Sequence, residues 1–237
     1  MALFSSSETY MGVDFGTSTS KIVELRDRKK LIDLVTYAEA NVQNLLVNPP
    51  SGNQDAIDKT ADALKQMMER AGVESKGAVA ALPGGAVFST VLMLPKIPES
   101  EMENAVRFAA RDIIPADIDE MVLGWSTVGT EAHMTTDIIP DKCLEKPAEP
   151  KTGELEIESK KEGTVAVFIT AAPKEIVSRY IAVFEKLQIT LLSLEVETFS
   201  LARSLLASGA EATILVDFGS RATTYHIIDE GVPRVSH

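Results

Sequence analysis

Two tetrapeptides of this 237-residue chain are identical, and both carry residue types suited to phosphate. Val13–Gly16 and Val216–Gly219 each read Val-Asp-Phe-Gly, closing an apolar run and opening into hydroxyl residues: "VDFGTSTSKIVEL" and "VDFGSRATTYHII". Glycine lets a chain reverse sharply and come close to a ligand, while successive N–H groups and hydroxyls of such a turn can aim at phosphate oxygens. A carboxylate at the strand end suits a hydrated Mg²⁺ beside those phosphates, because that ion keeps several waters and takes few protein carboxylates. Two such hairpins face to face would clamp a polyphosphate from both sides. The duplication therefore reads as two halves of one site. A four-residue match also arises by chance, and one copy alone would read as an ordinary strand and turn; two copies, each set strand–turn–strand, favour phosphate.

The Asp-Phe-Gly triplet is also the Mg²⁺-binding triplet of protein kinases, but their Gly-rich loop, "HRD" loop and "VAIK" strand have no counterpart here. The elements that must position the two turns follow from pattern. Residues 10–38 read as three short strands, "YMGVDFG", "KIVELR" and "LIDLVTYA". After the loop "NPPSGN", Gln54–Ala71 has helical spacing, with Ile57, Ala61, Leu64, Met68 and Ala71 on one face and Gly72 as its stop. Gly77–Pro95 is uncharged and about long enough to span a bilayer. Its "PGG" break and its Val, Phe and Thr content instead predict two adjacent strands joined as a hairpin. Ser100 and Glu103 form a capping-box signature for a helix whose apolar face is Met102, Ala105, Val106, Ala109 and Ile113. Glu103, Arg107 and Arg111 make a solvated ladder on it, and Pro115 ends it before the strand "MVLGWSTV".

Glu131–Gly163 is rich in charge and Pro and predicts a flexible loop. The strand "TVAVFITA", a helix from Pro173 to Leu187, the strand "ITLLSLEV" and a helix through Leu206 come next. "ATILVDFG", "TTYHII" and the start of a further strand, with nothing visible to pair with, complete the chain. Strands alternating with helices argue α/β, and the short early turns argue a mixed sheet. With 35 acidic against 23 basic residues, the net charge of −12 speaks against nucleic acid and anionic lipid as partners. The lone Cys143 excludes an internal disulfide, and residues 1–10 show no signal-peptide pattern.

The two hairpins resemble the phosphate-1 and phosphate-2 loops of the actin, sugar-kinase and heat-shock-chaperone ATPase superfamily. Within it, the chain is similar to the PilM family of type IV pilus assembly proteins, relatives of the cell-division protein FtsA. The segments that carry this likeness are "VAALPGGAVFSTVLMLPKIPESEMENAVRFAARDIIPADIDEMVLGW" and "VAVFITAAPKEIVSRYIAVFEKLQITLLSLEVETFSLARSL". Pro95–Lys96, Arg107–Phe108, Ile114–Pro115 and Ala171–Lys174 fall in them in the family's order.

The resemblance implies an actin-like (ribonuclease H-like) α/β mixed-sheet fold carrying a small inserted α+β subdomain, with its second half truncated. Residues 1–76 and 163–210 would form the first subdomain, 77–162 the insert with a flexible loop at about 131–162, and 211–237 the start of the second subdomain. It implies ATP with Mg²⁺, held by Asp14, Gly16, Thr17, Ser18 and Thr19 in the first loop and by Asp217, Gly219, Ser220 and Thr223 in the second. Asp14 and Asp217 would face the metal. Glu195 matches the acidic position that orients the attacking water in ATP-hydrolysing relatives; a helix-start carboxylate favoured by the macrodipole explains it equally well. Lys21 either reaches a phosphate or is an ordinary strand residue.

Ser220, Arg221 and Ala222 stand where many relatives carry further glycines, and the superfamily's adenosine-binding segment would lie beyond His237. ATP binding at about high micromolar or weaker, with at most slow hydrolysis, is the expectation. The implied role is a cytoplasmic, nucleotide-binding scaffold of the inner-membrane assembly platform. It would bind the cytoplasmic tail of a PilN-type protein and other platform proteins without entering the membrane itself. The alternatives are an FtsA-like division protein, whose amphipathic membrane helix has no counterpart here, or a working ATPase or phosphotransferase of the superfamily, for which no sugar-pocket signature is present.

Overall fold

In β1 (Thr9–Phe15) the side chains alternate, Met11, Val13 and Phe15 going into the core while Gly12 and Asp14 take the other face. The structure, a computed structural model, describes residues 9–28, 31–127, 163–206, 211–229 and 232–236. β2 (Ser20–Asp27) and β3 (Ile32–Ala40) follow as an antiparallel meander, with Asp14 opposite Lys21. β4 (Gly77–Leu82) lies parallel to β1, and β8 (Thr190–Val196) parallel to β4, which gives the mixed order β3-β2-β1-β4-β8.

One face of this sheet is covered by α1 (Asn53–Ala71) and α3 (Lys174–Lys186). Leu64 and Met67 of α1 and Tyr180, Val183 and Phe184 of α3 join Met11, Val13, Phe15 and Ile22 in one core. The buried stripe of α1 is Ala56, Thr60, Ala61, Leu64 and Met67; Ile57, Met68 and Ala71 flank it, half-buried. Gly72 ends the helix in the left-handed region, at φ 67°, as its position predicts. Glu24 of β2 is wholly buried and accepts from the backbone N–H of Ser75 at 2.7 Å and of Glu74 at 3.3 Å, tying the sheet to the chain after α1. Glu24→Ala would leave those donors unpaired and is expected to cost about 2 kcal/mol, read as a shift in the urea midpoint at unchanged slope.

The uncharged run Gly77–Pro95 does not form a hairpin. β4 is occupied on both edges, by β1 and β8, so the chain has no free edge to return to. It passes through a 3₁₀ turn at Gly84–Ala86 and enters a second sheet as β5 (Phe88–Pro95). That sheet has the antiparallel order β5-β7-β6, with β7 (Thr164–Pro173) between β5 and β6 (Met121–Thr127). α2 (Glu99–Ile113) packs Met102, Val106 and Ala110 against its Val167, Ile169 and Ala171.

The capping box is also corrected. Pro98, with φ fixed at −56°, is the N-cap, so the helix begins at Glu99 and Ser100 and Glu103 lie inside it without capping bonds. Ile113 is exposed, and Ile114, just past the helix end, takes the buried place instead. Pro173 likewise serves as the N-cap of α3 rather than its first turn.

After α4 (Glu197–Leu205), a third sheet has the order β11-β10-β9, from β9 (Thr213–Phe218), β10 (Thr223–Asp229) and β11 (Val232–Ser236). The last strand is not solitary: it pairs antiparallel with β10 from His226↔Ser236 to Asp229↔Val232. Residues 131–162, the expected flexible loop, and Cys143 within it lie outside the described residues. Among the described residues no helix is long and apolar enough to cross a membrane.

Candidate functional site

Both Val-Asp-Phe-Gly copies need glycine for one steric reason. A Cβ at Gly16 would stand 2.5 Å from the carbonyl oxygen of Thr19, and one at Gly219 would stand 2.9 Å from that of Ala222. Each turn folds back onto the carbonyl three residues on, and only glycine leaves room. The copies then diverge. Phe15 is buried against Tyr180 and Phe184, with ring centroids 5.7 and 6.3 Å away, whereas Phe218 is 81% exposed. Asp14 faces Lys21 across the strand pair, whose Nζ lies 3.5 Å from Asp14 Oδ2; Asp217 faces Thr224. Lys21 is thus a strand residue that reaches the aspartate.

The two turns meet through their hydroxyls. Thr17 Oγ1 and Ser220 Oγ are 2.9 Å apart, and Ser220 Oγ donates to Ser18 Oγ at 2.8 Å. Thr17, Ser18 and Ser220, chosen on opposite ends of the chain, therefore come together. Thr19 sits at the foot of the first turn, half-buried, and Thr223 starts β10, exposed. Arg221 is exposed at the tip of the second turn.

Glu195 lies in β8 with a buried carboxylate that accepts two hydrogen bonds from Arg203 Nη2, at 2.5 and 2.6 Å, and one from Ser200 Oγ. Its oxygens are committed to these two residues. Its neighbour Glu197 is the first residue of α4, and its Oε1 accepts from the Gly84 N–H at 2.8 Å. Burial pushes its carboxyl above the usual range; the Gly84 N–H opposes that, and the charges of Asp14 and Asp217 push it further up. One carboxylate thus senses both aspartates. The helix-start position weighed for Glu195 belongs to Glu197, in the first turn of α4. In β10, His226 is buried, with Nδ1 3.5 Å from Thr198 Oγ1; burial lowers its pKa and the charge of Asp217 opposes this.

The sign of Glu197's shift gives a prediction. Its folded-state pKa is raised, so ionisation disfavours the folded state, and the disadvantage is complete once the pH exceeds the folded value. Glu197→Gln keeps the acceptor for Gly84 and is expected to raise Tm at pH 8. The gain should shrink on acidification and vanish below the ordinary carboxylate range, as thermal unfolding across pH would show.

Each turn follows a strand-end aspartate, Asp14 or Asp217, and the hydroxyls of Thr17, Ser18 and Ser220 meet between them; carboxylate and hydroxyl oxygens are hard ligands of the kind Mg²⁺ takes with its waters. Among the described residues no three His, Cys, Asp or Glu side chains converge as a metal cluster. A magnesium ion held mainly through its waters would need only one or two of these carboxylates.

A mixed α/β sheet with a hydroxyl-bearing turn at the end of β1, meeting a like turn from a later sheet, agrees with the actin-like fold that the family resemblance implies. The coordinates superpose on the PilM–PilN type IV pilus biogenesis complex with a TM-score of 0.72 at 21% identity, covering 96% of this chain and 60% of that one. They also match the cytoplasmic domain of EpsL, an inner-membrane component of the type II secretion system of Vibrio cholerae. There the TM-score is 0.53 at 8% identity, over 97% of this chain and 71% of that one. The family described as type IV pilus assembly protein PilM matches residues 12–140. The chain belongs to that family, and it spans about 60% of the length of the chain of that complex on which it superposes.

Proposed function

We propose that the protein is a cytoplasmic, nucleotide-binding scaffold of a type IV pilus assembly platform, taking Mg-ATP between its two hairpin turns. The observation that supports this is the hydroxyl contact of Thr17 and Ser18 with Ser220, which joins two like turns from opposite ends of the chain. In this reading the backbone of Gly16 and Gly219 and the hydroxyls of Thr17, Ser18, Thr19, Ser220 and Thr223 exchange their mutual contacts for phosphate oxygens. Asp14 and Asp217 orient the waters of the magnesium ion, which supplies charge neutralisation at the phosphates when bound. Glu197 takes the role of holding water near the phosphates. Glu195, its carboxylate held by Arg203 and Ser200, keeps β8 and α4 together. In this reading hydrolysis is slow at most.

The partner reading rests on family membership. A PilN-type cytoplasmic tail would dock between the first sheet and the β5-β7-β6 sheet, and other platform proteins would bind elsewhere. Calorimetric titration separates the two activities. Mg-ATP is expected to bind wild-type protein, and Asp14→Asn or Asp217→Asn to weaken it about tenfold or more, while a PilN-type tail peptide binds all three alike. Tight ATP binding with rapid turnover and no peptide binding would replace the scaffold with an enzyme.

A further inference from the structure

The first turn is held from behind by one residue that the site residues named above do not include. Between β3 and α1 the chain passes beneath the end of β1, and there Asn44 makes bonds in four directions. Its backbone N–H donates to the carbonyl of Gly16 at 3.1 Å. Its Nδ2 donates to the carbonyl of Phe15 at 2.9 Å and to the Tyr180 hydroxyl at 2.9 Å. Its Oδ1 accepts from the Leu46 N–H, also at 2.9 Å.

The carbonyls of Phe15 and Gly16 are the last two before the hydroxyl-bearing turn. Fixing both fixes the plane of the peptides that lead into it. The same segment is pinned at either side. Ser20 Oγ donates to Val42 O at 3.0 Å, and Arg179 donates to Leu46 O at 2.5 Å and to Val47 O at 3.1 Å. Tyr180 is fully buried and packs edge-on against Phe15, so the atom that steadies the Asn44 amide is itself immobile. The turn closes so tightly that a Cβ at Gly16 would stand 2.5 Å from the Thr19 carbonyl oxygen, and Asn44 holds its entry from outside that closure.

We infer that Asn44 is the positioning residue of the first phosphate loop, presenting the N–H groups and hydroxyls of residues 16–19 in the orientation a phosphate requires. This rests on the phosphate reading of the site, and concerns preorganisation rather than contact with the ligand. Asparagine is required because the task needs a donor and an acceptor on one planar group: the donor for Phe15 O and Tyr180, the acceptor for Leu46. Asn44→Asp keeps size and acceptor but sets an oxygen against the Phe15 carbonyl. Tyr180→Phe keeps the ring packing and removes only the hydroxyl.

Two measurements on the full chain test this. In hydrogen exchange without nucleotide, Asn44→Asp is expected to speed exchange across residues 15–20 by about tenfold or more, and Tyr180→Phe to do so by less. In titration with Mg-ATP, the affinity falls in the same order, by about tenfold for Asn44→Asp. Thr36→Val provides the comparison. It removes the Thr36 Oγ1 to Ala71 O bond of 2.8 Å in the same unit, away from the turn. It should lower Tm without changing either readout. Exchange in residues 15–20 that is no faster in Asn44→Asp than in Thr36→Val at matched Tm would overturn the assignment. If Asn44→Asp does not fold, Tyr180→Phe against Thr36→Val decides by the same criterion. Wild-type protein that binds no Mg-ATP would sink the phosphate reading, while the exchange arm still decides whether Asn44 sets the loop.

Discussion

Phe15→Ala is expected to remove about 3–5 kcal/mol of folding stability, whereas Phe218→Ala, the same substitution in the same tetrapeptide, should change it by less than about 0.5 kcal/mol. Phe15 is 3% exposed and lies among Tyr180, Phe184 and the core of the first sheet, where truncation loses transfer free energy and leaves a cavity. Phe218 is 81% exposed and gives up almost no buried area. Urea unfolding of the two variants beside wild type measures both. Equal losses would mean that the two turns are embedded alike, contrary to the packing described. Mg-ATP binding should suffer in Phe15→Ala too, since the ring backs the turn at its root.

Arg179→Met is expected to cost about 3–4 kcal/mol. The Arg179 side chain is 5% exposed, and its guanidinium serves the carbonyls of Leu46 and Val47, Asn53 Oδ1 and Glu175 Oε1 together. Methionine fills much of the volume but leaves the two carbonyls without their donor. Lysine should recover little, because a single ammonium cannot span acceptors arranged for a planar fork. Calorimetric unfolding gives the size of the loss. Limited proteolysis gives its location, with new cuts expected at residues 46–53. A loss below about 1 kcal/mol would show that this segment is held by other contacts.

What was readable in the sequence was local or carried by resemblance. The Val-Asp-Phe-Gly turns were legible because their constraint spans only three residues, from Gly16 to Thr19 and from Gly219 to Ala222. α1 and its Gly72 stop followed from spacing and from glycine's left-handed freedom. The mixed actin-like fold followed from the family likeness. Features that depend on distant partners were not legible. Nothing within Gly77–Pro95 states that β4 will be occupied on both edges, and that occupancy is what sends β5 to another sheet. Glu195 and Glu197 differ in which distant group meets them, Arg203 in one case and the Gly84 N–H in the other. A spacing of two residues across a strand–helix junction cannot say which group each will meet. Asn44, Glu24 and Arg179 read as ordinary loop, strand and helix polar residues until their partners, far along the chain, are in place. Asn44 fell between the strand "LIDLVTYA" and the loop "NPPSGN", where nothing in its neighbours marked it.

The strand that leaves the first sheet for the second does so past a carboxylate. Gly84, in the 3₁₀ turn that links β4 to β5, gives its N–H to Glu197, and a Cβ there would stand 3.3 Å from Glu197 Oε1. That hydrogen bond favours the charged form of a group that burial and two aspartates push toward the neutral one. A pivot of the second sheet about Gly84–Ala86 that lengthened the bond would therefore draw a proton onto Glu197. By linkage, acidification would favour the pivoted arrangement in turn. The joint between the two sheets thus carries the N–H that opposes the effect of burial on the acid at the start of α4.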